Sequence, residues 1–181
     1  MNAGILVCGL NGCGKSTLGK ALAERLRLRF LDDEALFFSG NTGSDPFAHP
    51  RADEEAARLL TEAVATGEGF VYAAVKGDRG EAVRSRLTAV VLLEAPRALR
   101  LSRVRRRSEA RFGDRVLPGG DLYEREQAFF ERVSAKSPED VRTWAYSLGC
   151  PVIEADGTLE VAGNVERIVM QLMVAGCLPE R

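Results

Sequence analysis

The chain has one histidine, His49, and four cysteines, Cys8, Cys13, Cys150 and Cys177, with no CxxC pair among them. A histidine- or thiolate-based metal centre and a Ser/His/Asp hydrolase are both hard to assemble from that inventory. The thiols read as reduced. No run approaches the roughly 18 consecutive apolar residues needed to span a bilayer, and the amino terminus enters an apolar strand without a signal-like basic region. No membrane partner is expected, and a cytoplasmic location is. Neither sign of charge dominates: 25 basic against 26 acidic residues give a formal net charge of -1. That balance argues against a general polyanion binder, so nucleic acid is not an expected partner. The strings NKxD and DxxG, which a GTPase would carry for guanine and for its switch, do not occur, and there are no repeats or low-complexity tracts.

What is present is a chain of 181 residues, 45% hydrophobic, enough to bury a real core as one domain spanning 1–181. Its most informative stretch is GLNGCGKS, Gly9 to Ser16, which satisfies GxxxxGK[ST]. Apolar Ile5–Cys8 precedes it as a buried strand, and Leu18, Leu22 and Leu26 follow at helical spacing. Strand, loop and helix therefore stand in the order a phosphate-binding loop needs. Gly9, Gly12 and Gly14 allow backbone N–H groups to converge on dense negative charge, with Asn11 and Cys13 between them, and the helix adds its positive end. Lys15 is placed to reach the outer phosphates, Ser16 to put its hydroxyl on Mg²⁺, and Thr17 to bond an inner phosphate. Cys13 lies where the local field could lower its pKa, or is simply a small tolerated residue.

Further along, Leu28–Leu31 reads as a second strand ending in Asp32, Asp33 and Glu34, and Ser39–Pro50 as a loop in which His49 has no catalytic role. A helix carries Ala56, Leu59, Leu60, Ala63 and Val64. Phe70–Val75 and Ala89–Leu93 read as strands, the first delivering Lys76, Gly77, Asp78 and Arg79 at its end. A helix follows from about Arg97 to Arg107, then a mobile segment bracketed by Gly113 and Pro118-Gly119-Gly120, and another helix near Asp121. Ser137 and Pro138 start a helix, Pro151–Glu154 makes a fifth strand, and a last helix buries Val161, Val165, Ile168, Val169, Leu172 and Met173. Strands alternating with helices predict a three-layer α/β/α fold with a five-stranded parallel sheet. Ligands bind beyond the carboxyl ends of such strands, which gathers the phosphate loop, Asp32–Glu34 and Lys76–Arg79 at one crevice.

The arginines form a cluster. At about 100° per residue, Arg100, Arg103 and Arg107 project within roughly a 60° arc, while Ala98 and Leu101 are expected to face the core. Arg111 and Arg115 follow in the expected loop, and a cationic clamp of this kind suits phosphoryl transfer and excludes water. A solvated basic helix would look the same.

On these features the chain resembles the small P-loop kinases of the nucleoside-monophosphate kinase and shikimate/gluconate kinase type. The loop GLNGCGKST, the FLDDE element, the segment VVLLEAPRALRLSRVRRR leading toward an arginine-bearing lid, and the late VIEADGTLEV carry the resemblance over nearly the whole length. It implies ATP and Mg²⁺ as cofactors, a lid over about 108–120 and an acceptor-binding region over about 32–66. It also implies roles: Arg107 on the nucleotide, Arg111 and Arg115 on the moving phosphoryl group, Asp32 with Ser16 on Mg²⁺, and Glu34 or Asp33 on the acceptor hydroxyl. The acids would equally serve to end the strand and cap the next helix. Arg51, in FAHPRADEE, is similar to an FR..E element and would face an anionic acceptor, or be a surface salt-bridging residue. The third strand ends in VKGDRG, unlike either branch of these kinases, so no particular acceptor is implied; Lys76 and Asp78 remain acceptor candidates beside a plain helix-start reading. Glu94 is expected to be structural, and LPGGD at Leu117–Asp121 to be a hinge. The function expected is a phosphotransferase moving the γ-phosphoryl of ATP to a small-molecule or nucleotide acceptor. The alternative is a regulatory ATPase acting through a protein or RNA partner.

Overall fold

The computed structural model describes residues 3–38 and 50–178. Five strands, β1 (Gly4–Cys8), β2 (Arg29–Asp32), β3 (Phe70–Ala74), β4 (Ala89–Glu94) and β5 (Val152–Asp156), form one sheet in the order β2-β3-β1-β4-β5. Every pairing is parallel, with Ile5 opposite Val71 on one side and Ala89 on the other. The alternation of side chains along a strand sorts β1 cleanly. Ile5 and Val7 meet Leu18 and Leu22 of α1 (Lys15–Leu26) and Ile168 and Leu172 of α8 (Val161–Val174). Leu6 and Cys8 face the opposite layer, where Leu60 and Val64 of α3 (Asp53–Ala65) and Val141 and Ala145 of α7 (Pro138–Tyr146) pack. This is the expected three-layer fold. Leu22 and Leu172 are fully buried, and each such side chain stabilises by roughly 1.5–3 kcal/mol.

Several boundaries differ from the sequence reading. The strand β2 takes in Asp32, which also caps a short helix, α2, over Asp33–Phe37, in keeping with the capping alternative for these acids. A short helix, α4, follows at Glu81–Arg84, soon after the turn for which a helix start was one reading. Helix α5 runs from Arg97 to Phe112, five residues beyond the expected end, because its buried stripe of Arg100, Val104, Ser108 and Phe112 continues to find partners. Arg111 therefore lies on a helix and not in a loop. The segment expected to be mobile holds a 3-10 turn over Gly113–Val116 followed by tight turns: Leu122 N–H bonds Arg115 O at 3.0 Å, and Phe112, Val116 and Leu122 form a small apolar cluster beneath. The expected facing of α5 is also reversed. Ala98 is exposed, whereas the arginine side holds the buried face. Helix α6 (Tyr123–Ala135) follows. Ser137 caps α7 by accepting from Glu139 N–H at 3.2 Å, as its sequence signals. Met173, expected in the core, is 46% exposed. The loop expected over Ser39–Pro50, with His49, falls outside the described residues except for Pro50, which bridges to Phe38.

Candidate functional site

Loop residues 9–16 leave β1 at the carboxyl edge of the sheet. Gly9 N–H donates to Val75 O at 3.3 Å, and Gly9 and Gly12 adopt φ of 147° and 84°. A Cβ at Gly9 would overlap the carbonyl oxygen of Leu93, and one at Gly12 that of Arg100, so both positions require glycine for close packing as well as for backbone angle. The loop is thus pressed against β4 and α5.

Two arginines of α5 hold it there. Arg100, only 3% exposed, donates to Ala95 O at 3.2 Å and to Asn11 O at 3.4 Å. Arg103 donates to Gly12 O and Cys13 O, both at 3.4 Å, and to Gly157 O at 3.0 Å. Arg100 is a buttress, whereas Arg103 reaches the crevice itself. The turn after β5 completes the support: Gly157 N–H bonds Glu94 O at 2.6 Å, and Glu94 pairs with Arg142, a structural role as expected.

A crevice of about 680 Å³ opens above the loop. Asn11, Gly12, Gly14, Lys15, Ser16 and Thr17 line its floor, Asp32, Asp33 and Glu34 one wall, and Arg103, Arg107, Arg132 and Lys136 the other. Lys15 Nζ donates to Leu10 O at 3.3 Å. Gly9 and Cys13, expected among the nucleotide contacts, do not line this crevice; they form the underside of the loop. Cys13 is buried, and desolvation raises its thiol pKa against the pull of Lys15; Cys8 is pushed up to about 12 in the same way. The reading of Cys13 as a small packing residue holds, and the activated-thiol reading does not.

The acidic wall divides its labour. Asp32 accepts from Glu34 N–H at 3.0 Å, capping α2 while still lining the crevice. Asp33 is gripped by Arg79, whose Nε lies 2.5 Å from Oδ1 and Nη2 3.1 Å from Oδ2, and it accepts from the Tyr72 hydroxyl at 2.6 Å. Both carboxylate oxygens are engaged within the protein, while Asp33 still lines the crevice and the recess beside it. Arg79 also bonds Asp53 at 3.1 Å. Glu34 is the acid that projects toward the cations: its carboxylate stands 3.6 Å from Arg107 and 3.9 Å from Arg111.

Beyond Glu34 the crevice continues into a chamber of about 270 Å³ between α5 and α6, lined by Phe38, Arg107, Arg111, Arg125, Phe129 and Arg132 among others. A buried acid, Glu126, accepts from Ser108 Oγ at 2.6 Å and pairs with Arg125 at 3.0 Å, tying the two helices together. Four other expected residues lie elsewhere. Arg115, expected to be catalytic, closes its turn on Asp121 at 2.7 Å and lines neither space. Arg51 donates to Leu36 O at 2.7 Å and stands 3.6 Å from Glu55, fastening α2 to α3 and lining neither space. Lys76 and Asp78 border an open recess of about 520 Å³ that adjoins the crevice along Asp33, Asp53 and Arg79.

The sequence reading placed a helix at α6 but assigned none of its residues to the site. Arg125, Phe129, Arg132 and Lys136 recur at helical spacing and all line the crevice or the chamber. Lys136 Nζ donates to Asn11 Oδ1 at 3.2 Å, and desolvation, followed by Lys15 and Arg132, pulls its pKa down. The spacing was the available signal.

The site fits a magnesium nucleotide. Its loop is a cradle that side chains at Gly9 and Gly12 would destroy, its opposite wall is cationic, and Ser16 and Asp32 offer one hydroxyl and one carboxylate. That donor set suits Mg²⁺, which keeps water and phosphate ligands.

A family model described as AAA domain matches residues 5–128. The chain belongs to this AAA-domain family of P-loop proteins. A curated relative, the protein YqaC of Bacillus subtilis (strain 168), is 30% identical over 177 residues, covering 93% of this chain and 97% of its own length. In fold the chain is similar to a shikimate kinase from Acinetobacter baumannii in complex with shikimate (TM-score 0.59, 20% identity, 99% of this chain and 97% of the other). It is also similar to a sugar kinase from Janibacter sp. HTCC2649 (TM-score 0.56, 20% identity, 99% and 100%). The chain thus has the small P-loop kinase fold. No helix among its described residues is long and apolar enough to cross a membrane.

Proposed function

We propose that this protein is an ATP- and Mg²⁺-dependent phosphotransferase that moves the γ-phosphoryl group to a small-molecule acceptor held beside Glu34. The observation that carries the reading is the single crevice shared by the lysine of the phosphate loop, the acidic tip of β2–α2 and the cations of α5 and α6. Kinase-like neighbours in fold support it.

In this reading the backbone N–H groups of the loop and Lys15 hold the β- and γ-phosphates, with Thr17 on an inner phosphate. Ser16 and Asp32 would hold Mg²⁺, which neutralises phosphate charge when bound. Glu34 takes the proton from the acceptor hydroxyl as that oxygen bonds to the γ-phosphorus and the bond to the ADP oxygen breaks. General-base help of this kind contributes roughly 10²- to 10⁴-fold. Arg107 and Arg111 stand on either side of Glu34 and bear on the anionic groups that meet there, and the chamber bordered by Phe38 and Phe129 limits water around them.

The test is acceptor-dependent ADP release across a panel of nucleotides, sugars and hydroxy acids with Mg²⁺. One acceptor class should stimulate release strongly, and Lys15→Ala should abolish it. Slow acceptor-independent hydrolysis across the whole panel would refute the transfer reaction.

A further inference from the structure

The end of α6 carries a cation that the loop motif does not account for. Lys136 follows the last residue of α6 and precedes Ser137, the cap of α7, so its backbone is fixed between two helices. Helix α6 is in turn fastened to α5 by the Ser108–Glu126 hydrogen bond and by Arg97 on Ser134. Helix α5 is fastened to the loop by Arg100 and Arg103. From that anchored position the Lys136 ammonium reaches Asn11 at 3.2 Å, and it lines the same crevice as Lys15. Asn11 itself borders both the crevice and the chamber, so Lys136 stands at their junction.

Two ammonium groups and the Arg132 guanidinium converging on one cleft repel one another. Desolvation is the main cause of the lowered Lys136 pKa, and the nearby Lys15 and Arg132 lower it further. Such an arrangement becomes favourable when a group of high negative charge lies between the cations. At the junction of a phosphate loop and an acceptor chamber, that group is the phosphoryl being transferred.

We infer that Lys136 is a further catalytic residue: with Lys15 it clamps the terminal phosphoryl group from the side opposite the acidic wall, and Asn11 keeps it at the loop. The assignment rests on the phosphotransferase reading above. It separates two jobs: Lys15 belongs to the loop and meets any bound polyphosphate, whereas Lys136 comes from α6 and meets only the outermost group. ADP should scarcely sense it.

The experiment compares wild type, Lys136→Met and Lys136→Arg by calorimetry with Mg²⁺ and three probes: ADP, a non-hydrolysable ATP analogue, and ADP with aluminium fluoride as a mimic of the phosphoryl in flight. For Lys136→Met we expect ADP affinity within 2-fold of wild type and at least a ~10-fold loss for the analogue. The loss for the aluminium fluoride complex should be larger still, since fixed cations act most where charge is shared between two oxygens. Lys136→Arg should recover most of it. An equal loss for ADP and for the other two probes would assign Lys136 to general attraction, and no loss for any probe would assign it to packing; either overturns the inference. Melting temperatures of both variants, expected near that of wild type, separate these results from unfolding. Failure of wild type itself to bind ADP or the analogue would instead overturn the nucleotide reading on which the assignment stands.

Discussion

Arg79 holds Asp33 with two nitrogens, at 2.5 and 3.1 Å, while the buried Tyr72 hydroxyl donates to the same carboxylate. The pairing joins the segment after β3 to the first turn of α2, so the acids flanking Asp33 inherit its fixed position. Asp32 and Glu34 are thereby aimed at the crevice by a residue that does not itself need to touch a ligand. Arg79→Met should raise the Mg²⁺ concentration required for half-maximal ATP binding several-fold and leave metal-free nucleotide affinity nearly unchanged. Tyr72→Phe, which removes one donor to Asp33, should cost about 1 kcal/mol of stability with a smaller change in the metal titration. Calorimetry across a magnesium series and denaturant melts check both; an unmoved Mg²⁺ midpoint in Arg79→Met would make the clamp purely structural.

Arg103 bonds three carbonyl oxygens at the edge of the loop and lines the crevice. Replacing it with methionine should weaken ATP binding about tenfold, equivalent to ~1.4 kcal/mol, and lower the melting temperature modestly. Arg100→Met should do the reverse. Its guanidinium is buried against Asn11 and Ala95 carbonyls, so stability should suffer more than affinity, measured as two separate titrations.

The two arginines of the expected lid should part company. Arg111→Ala should reduce kcat/KM for the acceptor at least tenfold, because Arg111 lines the chamber near Glu34. Arg115→Ala, which opens a turn by releasing Asp121, should leave kcat within a factor of two. Steady-state kinetics with the stimulating acceptor decides the matter.

Burial rather than the phosphate loop governs the cysteines. Cys13 and Cys8 are sequestered and their thiols raised, so iodoacetamide at pH 8 should modify neither in the native protein, and Cys150, half-buried, should react first. Peptide mass spectrometry before and after denaturant reads the order.

Glu154 accepts from Tyr146 and Arg142, and these bonds hold its carboxyl below the usual range. A depressed folded-state pKa contributes stability that is fully present above the unfolded-state value and lost as pH falls through the folded one. Glu154→Gln should therefore flatten the acid limb of a melting-temperature profile below about pH 5 while changing the slope little at neutral pH.

The strands, the phosphate loop and the capped start of α7 were legible because each is dictated by residues within a few positions of one another: the glycine spacing, the apolar runs, Ser137 before Pro138. The parts that escaped depend on distant partners. Arg79 and Asp33 are 46 residues apart, Arg103 and Gly12 91, Lys136 and Asn11 125. Local pattern carries no trace of such meetings. Arg103 was visible as one of a cluster, but its partners are backbone carbonyls, which have no sequence signature. The end of α5 was misplaced because nothing breaks the helix before Gly113, and the run of arginines disguised the stripe of Arg100, Val104, Ser108 and Phe112 that continues it. Asp33, in turn, looked interchangeable with its neighbours until Arg79 and Tyr72 distinguished it.

The overlap that any side chain at Gly12 would make with the Arg100 carbonyl leaves no gap between the phosphate loop and the first turns of α5. Substitution at this one glycine would therefore displace the buttress and the cradle together, and nucleotide affinity and thermal stability would fall in step.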